Sequence, residues 1–269
     1  MYILFLVHAV SASILFYLGA EFDVQNYVYY DRYDFSLEKS EREILFYLNP
    51  IYLVASNELV CALSNLWAKW KPESYSKWFS YSITAGLLSL AVVQGPGPLN
   101  IFFIPFILMG NLNVQFLGYL IDRGEGIWNY AQGYLLLLPV IILSFGRTLG
   151  VKGGKPRIAY PWLSFIYLIW YLTFPLWSWV SEGNPKGKEI RERGFRILSA
   201  SSKLVLSWLL TSILLEPQGE IWATLQIVSI GSGFAAAVVL FIYLFVEIKY
   251  NCKGMKYERV YTQKGNPVR

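Results

Sequence analysis

Phe195-Arg-Ile-Leu-Ser-Ala-Ser-Ser-Lys-Leu-Val-Leu-Ser-Trp208 decides how this chain is read. It is an apolar run with Lys203 at its middle and serines on both sides. The lysine is too far from either end of the run to snorkel easily, and a charge inside hydrocarbon is costly. A lysine kept there has one of two uses. As a neutral amine it attacks an aldehyde to form a Schiff base. As an ammonium it pairs with an acid and locks neighbouring helices together.

The rest of the chain is built from similar runs. Of 269 residues, 55% are hydrophobic and 15% charged, against roughly a quarter charged in a soluble domain. Aromatics reach 17%, and the mean hydropathy is +0.40. This excludes a disordered chain, a disulfide scaffold and an ordinary soluble enzyme. Eight apolar runs lie near 2–20, 44–67, 78–95, 99–121, 127–146, 158–180, 194–215 and 221–248. A span needs about 20 apolar residues whose backbone groups pair within the segment, so each run reads as a transmembrane helix. The first run begins almost at Met1 with no basic stretch before it, which predicts a span rather than a signal peptide. Cys61 and Cys252 form neither a framework nor a metal-ligand spacing.

Most connections are short and turn-like: Gln94-Gly-Pro-Gly-Pro98, Asp122-Arg-Gly-Glu-Gly126 and Glu216-Pro-Gln-Gly-Glu220. The long one, about 21–43, carries acids and tyrosines and predicts an ordered cap on the membrane surface. The net charge of +5 sits between the runs, so it orients the chain and does not bind nucleic acid. The segments 68–77, 122–126, 181–196 and 249–269 hold 15 Lys and Arg residues, and the segments on the other side hold 7. The richer side is expected to be cytoplasmic, with both termini there.

Four further polar groups stand out. Glu58, in Ala55-Ser-Asn-Glu-Leu-Val-Cys61, is the other mid-span charge and the natural partner of a buried cation. Glu192 lies eleven residues before Lys203, on the same helix face. It begins a polar path to Lys203 or is a solvated helix end. His8, the only histidine, is a proton relay or a satisfied interface residue. Asn65, Ser80, Ser82, Thr84, Asn111 and Gln115 add a polar lining or bond helix to helix. Run six, Trp170-Tyr-Leu-Thr-Phe-Pro-Leu-Trp-Ser-Trp179, sets a proline among rings able to sandwich a flat apolar ligand.

Taken together, these features resemble a microbial-type rhodopsin, and more closely a heliorhodopsin. Lys77-Trp-Phe-Ser-Tyr-Ser-Ile-Thr-Ala85 is similar to the family's third-helix motif. Asn111 with Phe116-Leu-Gly-Tyr-Leu-Ile-Asp122 is similar to the fourth, and Glu192-Arg-Gly-Phe-Arg196 with Ser199-Ala-Ser-Ser-Lys203 to the seventh. His8 falls where the family has a first-helix histidine. The resemblance covers about 1–215. It implies an all-α membrane protein with a seven-helix rhodopsin-like bundle whose N-terminus is cytoplasmic. It implies all-trans retinal joined to Lys203 as a protonated Schiff base. Trp78, Tyr81, Thr84, Asn111, Tyr171, Phe174, Pro175 and Ser199 would line the pocket. Light sensing, a slow photocycle and a homodimer are implied, with passive proton conductance in some members, and the uncharged Ser80 resembles anion-conducting rhodopsins and adds light-gated anion conductance as an expectation.

Two departures bear on the chemistry. The family's third-helix glutamate is Ser80 here, and its second-helix histidine is Asn65. A buried cation still needs negative charge nearby. Either Glu58 serves, or a bound chloride does, or the Schiff base is unprotonated. The second departure is the added helix within 216–250, followed by a basic tail, 251–269. Its Gly231/Ala235 and Gly233/Ala237 spacings let another helix approach closely. A reading from another class is a retinal-free structural subunit of a membrane complex. An enzyme is not expected, since hydrolase and phosphate-loop motifs are absent. The charge count predicts that a cysteine placed near Arg269 is labelled from the cytoplasmic side; labelling only from outside refutes the topology.

Overall fold

The computed structural model describes residues 2–34, 36, 38–70, 74–124, 126, 128–149, 159–182 and 187–232, with 234, 235, 238, 239, 242 and 246. The chain is mostly helical. Its long helices are α1 (Tyr2–Glu21), α2 (Pro50–Trp70), α3 (Ser74–Gln94), α4 (Phe103–Asp122), α5 (Trp128–Leu149), α6 (Ala159–Glu182) and α7 (Gly187–Leu215). A 3₁₀ turn, Glu216–Gln218, follows, and residues 220–232 are helical again. Each helix packs against the next in sequence, and α7 returns to touch α1, α2 and α3.

Among the described residues, four helical segments are long and apolar enough to cross a membrane: Tyr2–Glu21, Pro50–Ala68, Phe103–Asp122 and Gly194–Gln218. Ala131–Arg147 is a shorter apolar helix. At 21 and 24 residues, α3 and α6 match the spans in length, but tyrosine, tryptophan and serine lower their hydropathy. These apolar helices fit a membrane protein.

The structure corrects the all-helical expectation. The connection after α1 is a β-hairpin, β1 (Asn26–Asp34) and β2 (Lys39–Leu48), and β3 (Leu99–Asn100) pairs with β1 in parallel. The apolar residues 44–48, expected at the start of the second span, belong to β2, and 99–100, expected in the fourth, form β3. Charge and ring pairing set the hairpin register: Asp31 lies opposite Arg42, Arg32 opposite Glu41 and Tyr27 opposite Tyr47. The Arg42 guanidinium also sits 4.0 Å from the Tyr29 ring centre. Asn49 then caps α2: its Oδ1 accepts from the Ile51 N–H at 2.9 Å, and its Nδ2 donates to the Gly19 carbonyl at 3.1 Å. One residue thus ends α1 and starts α2, with Pro50 at the first helical position.

The hairpin end of the helices is tied further. Arg147 of α5 donates to the carbonyls of Val93 (2.7 Å), Gly97 (2.9 Å) and Pro98 (2.5 Å), which end α3 and form its turn. The Tyr160 hydroxyl of α6 donates to the Gly95 carbonyl at 2.9 Å. After the 3₁₀ turn, Gln226 donates to the Ser212 carbonyl at 3.2 Å, and Trp222 meets Phe22 edge-on. The last helix therefore rests on this chain's own α7. Gly231 and Ala235 are exposed. Gly233, Ala237 and the 251–269 tail lie outside the described residues.

Within the hairpin, Tyr30 donates a hydrogen bond to Glu43. That bond, ahead of Arg32, holds the Glu43 carboxyl below its usual range, and the same bond raises the Tyr30 phenol. The Glu43 contribution to hairpin stability is present above its unfolded value, about 4.3, and lost as pH falls through the lowered value. The Tyr30 contribution is complete below its unfolded value, about 10, and lost as pH rises through the raised one. Tyr30→Phe is expected to return the Glu43 titration towards the ordinary value, read by carboxyl NMR.

Candidate functional site

The middle of α7 is built from small residues, Ser199, Ala200, Ser201 and Ser202, ahead of Lys203. They leave room beside the helix. The resulting cleft is small, with a cavity volume of about 60 Å³, and partly open. Ser199, Ser202, Lys203 and Leu206 of α7 form one wall. From α3, Trp78, Tyr81, Ala85 and Leu88 face it, and α6 adds Trp170, Tyr171 and Phe174. The remaining lining is Val114 and Gln115 of α4 and Tyr134 of α5.

Lys203 is 8% exposed. Its Nζ lies 4.7 Å from the centre of the Tyr81 ring, in the geometry of a cation–π contact. The Tyr81 hydroxyl is hydrogen-bonded to Ser199, one turn before the lysine, and the Cys61 thiol of α2 borders the ammonium. Among the described residues no ion pair includes Lys203.

Glu58 stands one turn further along. It is fully buried and held by three donors or shared protons: His8 Nδ1 at 2.5 Å, Ser207 Oγ at 2.8 Å and Asn57 Nδ2 at 3.2 Å. Ser207 follows Lys203 by four residues, about 6 Å along the helix axis, and meets Glu58 at that height. The offset is towards the hairpin end. His8 is 1% exposed, and its pairing with Glu58 joins α1 to α2. A buried carboxylate held this way is solvated by the protein in place of water.

Several expected residues sit elsewhere. Ser80 is not the α3 side chain over the ammonium; Tyr81, one position and about 100° around the helix, takes that place. The Ser80 hydroxyl donates to the Lys77 carbonyl, Thr84 to the Ser80 carbonyl and Asn65 to the Cys61 carbonyl. All three donors are turned to their own helices. Asn111 lies behind the cleft wall: it accepts from Ser89 at 3.0 Å and from Tyr171, whose ring lines the cleft. Pro175 is inside α6, next to Phe174 but not in the lining. Sequence reasoning missed Ala85, Leu88, Val114, Tyr134 and Leu206. The first two follow Trp78 and Tyr81 at helical spacing; no signal on α5 singled out Tyr134.

Glu192 belongs to an ion cluster at the opposite end of the helices, here called the loop end. Lys77 Nζ lies 2.6 Å from Asp122 and 2.8 Å from Glu192, and Trp78 Nε1 donates to Asp122 at 2.6 Å. Arg191 Nε is 3.7 Å from the other Asp122 oxygen. The cluster clamps α3, α4 and α7 beneath the cleft, so Glu192 braces the helices where a polar path was one expectation. No family model matches the chain, and no curated protein matches it in sequence.

The Trp78 ring packs directly on Gly118. A Cβ at that glycine would meet the ring at 2.5 Å. Gly118→Ala is therefore expected to push Trp78 into the cleft and to cost about 1–3 kcal/mol, read as a lowered unfolding temperature in detergent. An unchanged Tm refutes this close packing.

Proposed function

We propose that the chain is an integral membrane light sensor that carries all-trans retinal on Lys203, in the manner of the heliorhodopsins it resembles. One observation carries the reading: in the wall of an aromatic cleft stands a buried lysine that, among the described residues, has no ion-pair partner. An ion-paired structural lysine would sit against a carboxylate. This one sits against a ring, a thiol and the residues of an apolar groove. The apolar, ring-lined walls suit an elongated ligand bearing an aldehyde, which widens the cleft on binding. Trp170, Tyr171 and Phe174 offer one set of rings, and Trp78 and Tyr81 the other.

When bound, retinal supplies a visible-absorbing polyene that light isomerises. The protein's part is to hold it, exclude water and balance charge. Asn111 and Ser89 fix the Tyr171 wall through hydrogen bonds. Glu58, solvated by His8, Ser207 and Asn57, supplies the negative charge nearest to Lys203 that the described residues offer. It is favoured over a bound chloride because the Ser80 and Thr84 hydroxyls, candidates for that anion, donate within their own helix. The excess of bases at the loop end supports a cytoplasmic N-terminus and a multi-pass topology. The resemblance supports a homodimer, and the exposed Gly231/Ala235 face leaves room for a partner helix.

Protein expressed with all-trans retinal is expected to be coloured and to bleach with hydroxylamine. Lys203→Ala is expected to fold, reach the membrane and lack colour; a coloured Lys203→Ala protein overturns the assignment. Glu58→Gln is expected to move the absorption towards the ultraviolet, with spectra indifferent to chloride at constant ionic strength. A chloride-dependent shift that survives Glu58→Gln assigns the charge to a bound anion instead.

A further inference from the structure

Among the described residues no ion pair joins Lys203 to Glu58. Two buried side chains of α2 are bonded towards both: Asn57, fully buried, and Cys61, 2% exposed. They lie four residues apart, on one face of the helix.

The Asn57 amide has one workable orientation. Its Nδ2 donates to Glu58 Oε1 at 3.2 Å and to Ser207 Oγ at 3.4 Å. The Ser207 hydroxyl gives its own hydrogen to the same carboxylate oxygen, at 2.8 Å, and keeps a lone pair to accept with. Turned over, the amide would set its oxygen against a carboxylate. Its Oδ1 therefore faces the other way, where the Cys61 Sγ donates to it at 3.9 Å. The same sulfur is hydrogen-bonded to the Lys203 amine. Every link donates in one direction: amine to sulfur, thiol to amide oxygen, amide nitrogen to carboxylate. Hydrogen bonds aligned in this way polarise one another.

The residue type matters. Hydroxyls nearby turn back to their own helices: Ser64 donates to the Cys61 carbonyl, Ser80 to the Lys77 carbonyl and Thr84 to the Ser80 carbonyl. A thiol is a weaker donor, and Cys61 meets a side chain instead.

We propose that Cys61 is a positioning residue: with Asn57 it forms a one-directional chain of hydrogen bonds that couples Lys203 to Glu58 across a gap neither charge closes. No proton moves along the chain. Its dipoles draw the lysine nitrogen towards α2 and carry part of the Glu58 field to it. The inference rests on the reading of Glu58 as the charge that balances Lys203, and its test keeps the two separate.

The full chain carries Cys252→Ser, which leaves Cys61 as its single thiol. The S–H stretch is recorded by infrared absorption without retinal, in a region that other protein groups leave clear. A donating thiol stretches at lower frequency than a free one. The frequency is expected to rise in Asn57→Ala and in Lys203→Ala. It is expected to stay in place in Ser64→Ala, which removes a contact to the Cys61 carbonyl only. A frequency indifferent to either of the first two, or moved equally by Ser64→Ala, overturns the chain; where Asn57→Ala does not fold, Lys203→Ala decides alone. A second measurement uses the pigment formed with all-trans retinal. The absorption shift caused by Glu58→Gln is expected to shrink in a Cys61→Ala background and to stay small with Cys61→Ser, whose hydroxyl turns to its own helix. An equal Glu58→Gln shift with and without Cys61 overturns the positioning role. Absence of pigment, or of any Glu58→Gln shift when Cys61 is present, overturns the proposed function instead, and the S–H frequency still decides the chain.

Discussion

An ammonium in an apolar interior must be solvated by the protein, and Lys203 is solvated without a carboxylate in contact. The Tyr81 ring face, the Cys61 thiol and the lysine's own helix surround it. A desolvated cation–π contact contributes about 2 kcal/mol, which offsets part of the cost of burial but not all of it. Negative charge close by is therefore required, and Glu58 meets α7 one turn away, at Ser207. This requirement brings α2, α3 and α7 together around the lysine. It accounts for the small residues of α7, which let Tyr81 and the α2 face approach. It also leaves α4, α5 and α6 to supply the far wall, where rings and branched chains suffice.

Polar groups are otherwise concentrated at the two ends. At the hairpin end, Asn49, Arg147 and Tyr160 satisfy carbonyls that α1 and α3 leave open. At the loop end, Asp122, Lys77 and Glu192 clamp three helices with charges only partly buried. Charged groups cost less there than at mid-depth, because water and headgroups share their solvation. Between the ends, packing contacts are joined by buried side-chain hydrogen bonds, those of Glu58 and of Ser89, Asn111 and Tyr171 among them. A cleft can persist in that middle layer because both rims are held rigid.

The sequence was legible where chemistry conflicts with environment. Lys203 and Glu58 stood out as charges in apolar runs, and the rings of 170–174 as an aromatic wall. The hairpin was legible only as an ordered cap. Residues 44–48, Ile-Leu-Phe-Tyr-Leu, are as apolar as a span, and hydropathy does not separate a strand from a helix over five residues. Asn49-Pro50, a capping residue before proline, marked the true start of α2. The pairing of His8 with Glu58 joins residues 50 apart in sequence, and no local pattern encodes it. The Ser80 expectation came from alignment to a motif, whereas the spacing of Trp78, Tyr81, Ala85 and Leu88 already defined the face of α3 that meets α7.

That face changes how the two ends communicate. Glu192 and Lys203 share one side of α7, eleven residues or about 16 Å apart, which by itself suggests a polar channel between them. The intervening space is filled by rings instead. Lys203 lies over Tyr81, Tyr81 against Trp78, Trp78 against Phe195, and Lys77 over both of the latter. Phe195 stacks in turn on Phe174 of the cleft wall. A close-packed aromatic column conducts displacement, since its members cannot be compressed and must shift together. Its polar atoms are the Trp78 N–H, which ends on Asp122, and the Tyr81 hydroxyl, which faces Ser199. The lysine and the ion cluster are therefore linked mechanically, through α3.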